Sequence, residues 1–228
     1  MKNPSSSRTL RFATLAGLYT LVPAHSAILA RYEFASASPV ATTSLAGVTA
    51  GNFGASITDT NQGFSAGGNV FLRSLVTGAD QTAALADDNY FSVTISATNP
   101  GETLNLTSLT LDYAVQNDNA SSFSGAVYLQ STVGGTGTGN PVIAGTGTTD
   151  TQNSSGFSFA QATFDLSAAG FQGLTSITFQ FRFSDTADVT GDLNRMDNVT
   201  INGSVVPEPS SALIGGLGVL VLLRRRRI

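Results

Sequence analysis

Between about residues 27 and 206 apolar and polar side chains take turns in short stretches. In "LTSITFQFRFS" (Leu174–Ser184), Ile177, Phe179, Phe181 and Phe183 share one side of an extended chain. In "LNLTSLTLDYAVQ" (Leu104–Gln116), Leu109, Leu111, Tyr113 and Val115 face one way, and Thr110, Asp112 and Ala114 the other. Val93 and Ile95 alternate with Ser and Thr in "YFSVTISA" (Tyr90–Ala97). A period of two is the mark of a strand with one buried face. Further runs of this kind are Ile28–Ala35, Asn69–Leu75, Ser124–Thr132, Phe157–Leu166 and Arg195–Gly203, with weaker ones at Ser44–Thr49 and Ala55–Thr58. No helical period longer than about two turns is present. Eight or nine such strands in about 180 residues predict an all-β domain, an antiparallel β-sandwich of jelly-roll type with the Phe stripes in its core. The Gly/Thr-rich Gly134–Gly147 reads as a flexible loop or a hairpin with weak strands.

The two ends break this pattern. Lys2, Arg8 and Arg11 precede a mostly apolar stretch, Phe12–Val22, and Ala24-His25-Ser26 offers small residues where a signal peptidase reads. Residues 1–26 are expected to be a signal helix cleaved after Ser26 or Ala27. At the other end "VPEPSSALIGGLGVLVLLRRRRI" carries an apolar run, Ser211–Leu223, stopped by Arg224, Arg225, Arg226 and Arg227. As a helix the run spans roughly 20 Å against a hydrocarbon core of about 30 Å. It is a short anchor, with its arginines on the cytoplasmic side of the inner membrane. The order Pro207-Glu208-Pro209, short apolar run, Arg cluster resembles the PEP-CTERM sorting signal of Gram-negative bacteria. That resemblance covers the last twenty-three residues. It implies that an exosortase, a membrane cysteine transpeptidase, cuts near the Pro-Glu-Pro and passes the protein on. A poor anchor then serves as a temporary handle, since thickness mismatch costs only fractions of a kcal/mol per Å. The expected organisation is signal peptide 1–26, ectodomain 27–204 and sorting tail 205–228, with Val205–Pro209 as linker. The mature protein is expected at the cell surface or in the extracellular matrix.

Composition narrows the chemistry. Of eleven Lys and Arg, seven lie in the two terminal segments. The domain keeps Arg31, Arg73, Arg182 and Arg195 against fourteen of the fifteen acids, a formal charge of −10. Such a domain repels phosphate backbones, so nucleic acid is not an expected partner. The single His is His25 and the single Lys is Lys2; Cys and Trp are absent. Triads with His, zinc sites built on His or Cys, Schiff bases and disulfides are therefore excluded from residues 27–206. Carboxylates and oxygen-ligated metals remain. Fourteen acids always allow some pair, so a glycosidase pair has no specificity here and no enzyme is expected.

"ARYEFA" near the start and "NRMDNVTI" near the end look like the terminal strands of jelly-roll carbohydrate-binding modules. That resemblance implies a structural Ca²⁺ shared by Glu33 and Asp197, completed by loop carbonyls. In the plainer alternative Glu33 is an exposed strand residue, and Asp197 pairs with Arg195 or Arg31 or bonds backbone amides. The acidic loop with Asp185, Asp188, Asp192 and Asn194 lacks EF-hand spacing and reads as a solvated turn. Asp118-Asn119 is a polar loop, and Asp87-Asp88-Asn89 an acidic turn. Sugar stacking would fall to Tyr32, Tyr90, Tyr113 and Tyr128, most of them in patterns that look buried. Two functions stay open: a structural or adhesive matrix protein associated with exopolysaccharide, and a calcium-dependent carbohydrate-binding module. An exposed Tyr pair on one sheet favours the second, and a uniformly polar outer surface the first.

Deleting Arg224–Arg227 from the full chain should impair retention and processing at the membrane. Immunoblots of membrane and medium fractions read this directly, and processing at the parental rate would refute the sorting reading.

Overall fold

The structure is a computed structural model and describes residues 26–34, 38–56, 63–64, 72–75, 78–87, 89–116, 123–152, 158–186 and 193–207. The expected terminal helices lie outside these residues, as do Asp88, Asp118, Asn119, Asp188 and Asp192. Among the described residues no helix is long and apolar enough to cross a membrane.

Fourteen strands follow one another as β1 Ala27–Tyr32, β2 Thr43–Ser44, β3 Val48–Ala50, β4 Gly54–Ser56, β5 Gly63–Phe64, β6 Leu72–Leu75, β7 Tyr90–Ala97, β8 Thr103–Gln116, β9 Phe123–Ser131, β10 Gly145–Thr146, β11 Thr149–Gln152, β12 Ala160–Asp165, β13 Ser176–Asp185 and β14 Leu193–Val206. Among the described residues one α-helix, α1 Gln81–Ala86, precedes β7, and a 3-10 turn, Ala169–Phe171, precedes β13. All pairings are antiparallel and form two sheets. Sheet A runs β10-β12-β8-β14-β1-β2, with β6 also against β14 and β5 beside β6. Sheet B runs β11-β9-β13-β7-β3, with β4 also against β7. From β7 to β14 the chain alternates strictly between the sheets, so the fold is the expected jelly-roll sandwich.

The inward sets read from the sequence are buried, although Ala114, Arg182 and Ser184 on the opposite sides are buried as well. Ile177, Phe179, Phe181 and Phe183 turn inward from β13, and Leu109, Leu111, Tyr113 and Val115 from β8. Phe53 joins the layers: its ring lies 4.7 Å from Tyr32 of sheet A, edge-on, and 5.6 Å from Phe181 of sheet B. The Tyr32 hydroxyl, buried with its ring, donates to the Gly51 carbonyl at 2.7 Å, which meets the need of a buried polar atom for a partner.

Strand β14 is central to sheet A. One edge pairs with β8 from Leu193↔Gln116 to Val206↔Thr103. The other edge is shared, with β6 along Leu193–Met196 and β1 along Ala27↔Gly203 to Tyr32↔Val199. The close approach at Gly203 admits no side chain: an added Cβ would lie 2.2 Å from the Asn105 carbonyl oxygen. Strand pairing extends to Val205 and Val206, two residues past the domain end expected at 204. It stops at Pro207, which has no N–H to give a ladder.

Helix α1 was not foreseen. Six residues are too few to show a period, and its one local signal is Asp80, whose side chain accepts from the Ala83 N–H at 2.9 Å as an N-cap. The Gly134–Gly147 stretch is a loop with isolated bridges, Ser131↔Gly135 and Leu129↔Ile143, that ends in the two-residue β10.

Phe181→Ala should cost about 3–5 kcal/mol, because it removes a wholly buried ring where the two sheets meet. Urea unfolding would show this as a lowered midpoint at unchanged slope; a loss under about 1 kcal/mol would place Phe181 outside the packed core.

Candidate functional site

Two places on the sandwich gather polar chemistry. The first lies on the outer face of sheet A, where β14 passes from its partner β6 to its partner β1. Asp197 and Asn198 sit in that gap, and the register with β8 slips between Asp197 and Thr200. Asn198 has φ 50°, a left-handed conformation that Asn tolerates better than most residues. With Met196 and Val199 buried on either side, Asp197 and Asn198 are left half-buried on the polar face. The Asn198 backbone N–H donates to Asp197 Oδ1 at 2.7 Å, and its side-chain amide donates to Asp112 Oδ2 at 2.8 Å. Asp112 stands directly across from Asp197 on β8.

Glu33 follows β1 on the same side. Its carboxylate is 2.8 Å from the Arg31 guanidinium. Burial pushes the Asp197 carboxyl above its ordinary pKa; the neighbouring Asp112 and Glu33 charges push it further, and the Asn198 N–H and Arg31 pull it back. The two residues selected from the sequence are therefore brought onto one face. The fold adds Asp112, which in the sequence was only a polar position in an alternating strand.

A calcium ion takes six to eight oxygens. In this arrangement Glu33 is turned to Arg31, and Asp197 and Asp112 are turned to Asn198. Among the described residues no three acidic or other ligating side chains are placed to hold a metal. The set does not fit calcium without Glu33 leaving Arg31.

The second place is the outer face of sheet B, which the sequence reading did not single out. Arg182 of β13 pairs in register with Tyr128 of β9, and its guanidinium lies over the Tyr90 ring of β7, 4.7 Å from the centroid. That places two half-buried tyrosines on either side of one arginine. Arg182 itself is 3% exposed. It donates to the carbonyls of Ala84 and Asp87 at the end of α1, and to Gln180 Oε1 at 3.3 Å. The Tyr128 hydroxyl shares a hydrogen bond with Ser184 at 2.9 Å.

Next to this row, Gln130 holds down the Gly-rich loop. Its amide nitrogen donates to the Gly137 and Asn140 carbonyls, each at 3.1 Å, and its amide oxygen accepts from the Gly137 N–H at 2.8 Å. Gly137 has φ 84°, which its lack of a Cβ makes unstrained. The loop in turn touches the helix through Thr138, whose hydroxyl donates to the Leu85 carbonyl at 3.3 Å. Beyond the covered part, hydroxyls and amides continue across the strands, with Thr94 and Thr178 bonded at 2.7 Å and Gln180 opposite Ser92. Tyr32 and Tyr113, in contrast, are core residues, and burial pushes both hydroxyls above the ordinary tyrosine range.

Of the residues assigned to processing, Ser26 is exposed, with its hydroxyl 2.7 Å from that of Thr107. Ala27 opens β1 opposite Gly203. Pro207 is exposed at the end of β14. Ala24, Glu208, Pro209 and Arg224–Arg227 lie outside the described residues. Two shallow grooves flank Pro141–Thr146. One is floored by Val133, Pro141, Ile143 and Phe171, the other is rimmed by Thr107, Ser108 and Thr163, and Asp165 borders both. Hydrogen bonds from Ser167 hold the Asp165 carboxyl below its usual pKa, which suits a carboxylate acceptor and not a proton donor.

No protein-family model and no curated sequence matches the chain. Among solved structures it is similar to the CBM22-1 xylan-binding domain of Xyn10C from Paenibacillus barcinonensis, at 12% identity over 78% of this chain and 95% of that one, with a TM-score of 0.39. It is also similar to a family 29 carbohydrate-binding module from Piromyces equi, at 13% identity over 80% and 93%, with a TM-score of 0.34. A third is the non-crystalline-cellulose-specific module CBM28, at 11% identity over 75% and 91%, with a TM-score of 0.36. Identities of this size transfer no residue role to this chain.

The raised pKa of Asp197 has a sign that can be tested. The folded state disfavours the carboxylate relative to the unfolded chain. The penalty is full above the folded pKa and is gone below the ordinary aspartate value of 3.8. Asp197→Asn keeps an oxygen for the Asn198 N–H and removes the charge. It should raise Tm at pH 7 in the presence of chelator, with the two proteins converging below about pH 3.8. A variant less stable at pH 7 would show that the Asp197 charge is stabilising, contrary to its surroundings.

Proposed function

We propose that the protein is an exported β-sandwich of the cell surface or extracellular matrix that binds exopolysaccharide through the outer face of sheet B. Its C-terminal tail would serve exosortase sorting, with signal peptidase acting at the other end. The observation that carries the binding reading is the row Tyr90–Arg182–Tyr128, set beside Gln180 and the Thr94–Thr178 hydroxyls. Sugars are held by aromatic faces that cover their C–H surfaces and by amides and hydroxyls that meet their O–H groups. Three adjacent strands supply both kinds of group at the regular spacing of a sheet, about 4.8 Å between strands. Arg182 lies over the Tyr90 ring and the Tyr128 hydroxyl is held by Ser184, and an immobilised platform loses little entropy on binding. The domain's charge of −10 favours a neutral glycan over an acidic one.

A purely structural role without a discrete ligand is the second reading. It is favoured by the burial of Arg182 and Gln130 under α1 and the Gly-rich loop, which leaves only part of the face open. The calcium reading rests on Glu33 and Asp197 and requires a rearrangement at Arg31.

The test is a pull-down of residues 27–206 by the producing organism's own exopolysaccharide, and by neutral and acidic polysaccharides, with calcium and with chelator. Binding to a neutral glycan, weakened about tenfold by Tyr128→Ala at preserved secondary structure, would support the proposal; tenfold is about 1.4 kcal/mol. Loss of binding on chelation would restore the calcium site. No binding under any condition would leave the structural reading.

A further inference from the structure

The two grooves beside Pro141–Thr146 meet at one carboxylate. The larger, of about 420 Å³, is floored by Val133, Pro141, Ile143 and Phe171. The smaller, of about 330 Å³, is rimmed by Thr107, Ser108 and Thr163. Ala144 and Asp165 line both. Each is of the size of a small-ligand site, roughly 300–1,000 Å³.

The walls are fixed before any ligand arrives. The Gln172 amide nitrogen donates to the carbonyls of Leu106 at 2.9 Å and Leu166 at 3.2 Å, which ties the 3-10 turn carrying Phe171 to β8. Opposite, the Ile143 N–H donates to the Leu129 carbonyl at 2.7 Å, which ties the loop to β9. The two walls come together at Gly170 and Val133, where a Cβ added to the glycine would lie 3.2 Å from Cγ1 of the valine. Walls held in this way lose little freedom on binding.

Asp165 ends β12 opposite Ser108. It is exposed, and its Oδ1 accepts from the Ser167 N–H at 2.9 Å. Ser167 keeps the carboxyl ionised. Among the described residues no arginine pairs with it. Arg31 is turned to Glu33, and Arg182 to the end of α1. Arg195 stands opposite Ala114 with Arg73 across from it, about 20 Å along β8 from Ser108. A fixed carboxylate without a counter-charge, with an apolar floor on one side and hydroxyls on the other, matches a ligand that has a cationic group, an apolar face and hydroxyls of its own.

We propose that these grooves form a second saccharide site, selective for an amino sugar. Asp165 receives the ammonium, Phe171 and Ile143 cover the C–H face of the ring, and Ser108 and Thr163 meet its hydroxyls. The site shares no residue with the Tyr90–Arg182–Tyr128 row. The choice of a sugar rests on the reading of the domain as an exopolysaccharide binder, and the choice of an amine on Asp165. A hydrogen bond between ammonium and carboxylate is about twice as strong as one between neutral groups, so the amine is the part of the sugar that is read. The domain's formal charge of −10 adds an attraction for cationic glycan that weakens with salt. A basic peptide also offers an ammonium, but a lysine side chain brings no hydroxyls to Ser108 and Thr163.

The full chain is purified in detergent and titrated at about pH 6, where the amine is charged and the carboxylate ionised. The probes are a glucosamine hexamer, its fully N-acetylated counterpart and oligolysine. The glucosamine hexamer should bind about tenfold more tightly than the acetylated one. Asp165→Asn keeps an oxygen for the Ser167 N–H and should remove that preference. Ala144→Lys, at an exposed position lining both grooves, sets an ammonium of the protein's own beside Asp165 and should block the glucosamine hexamer at unchanged Tm. Tyr128→Ala should leave the preference intact. Oligolysine bound as tightly as the glucosamine hexamer would overturn the sugar assignment. Equal binding of the two hexamers, or a preference that survives Asp165→Asn, would overturn the amine site; weakening of both hexamers by Tyr128→Ala would then still support the sheet B reading. No binding of either hexamer would overturn the amine site, and the exopolysaccharide pull-down decides the sheet B reading separately.

Discussion

Sheet A depends on the pairing of β14 with β8. Along fourteen residues the last strand of the domain gives one edge to β8 and divides the other between β1 and β6. Without β14 there is no contact of strand on strand between the β8 side of the sheet and the β1 side. The strand has to satisfy three neighbours with one backbone, and its irregularities are where it does so. The gap between β6 and β1 becomes the Asp197–Asn198 bulge, and the approach to Asn105 requires Gly203. The acidic cluster of sheet A follows from this: it forms where a strand changes partner, and Asn198 takes a left-handed conformation to bridge the change.

Sheet B meets a related constraint in another way. Its inner face is filled by aromatic rings, which leaves β13 with Gln180, Arg182 and Ser184 on the outer side. An arginine there would ordinarily reach into water. Here it lies over Tyr90 and donates to the carbonyls that α1 leaves unpaired at its end, so a six-residue helix with little stability of its own is docked by a side chain from the sheet. Gln130 does the same for the Gly-rich loop, using both ends of its amide. The face of the sheet is built largely by side chains that bond to backbone, a mode in which each partner is rigid.

How much of this was legible depends on the range of the interaction. The inward sets from β8 and β13 were readable because a period of two over six or more residues has one explanation, a half-buried strand. Glu33 and Asp197 could be paired because the first and last strands of such sandwiches are neighbours, and they are. The ion pair of Glu33 with Arg31 was not readable, because alternation says which side a residue takes and not which partner it finds. The same holds for the extent of β14: Val205 and Val206 looked like linker beside a Pro-rich motif, yet their apolar side chains continue the ladder until Pro207 removes the donor. The Tyr90–Arg182–Tyr128 row joins residues from three strands far apart in sequence, and no local signal marks it. Helix α1 was missed because a cap and six residues are too short a signal.

The outermost strands also matter for life at high density. Among the described residues sheet A ends in β10 and β2, each two residues long, with the two-residue β5 beyond β6, and sheet B in β11 and β3, four and three residues long, with the three-residue β4 beside β7. A long open edge is a template on which a second copy can add its own strand, and repeated addition leads to fibres. Edges this short give an incoming strand at most a few backbone bonds. Edge-to-edge addition of copies is thus disfavoured at these strands.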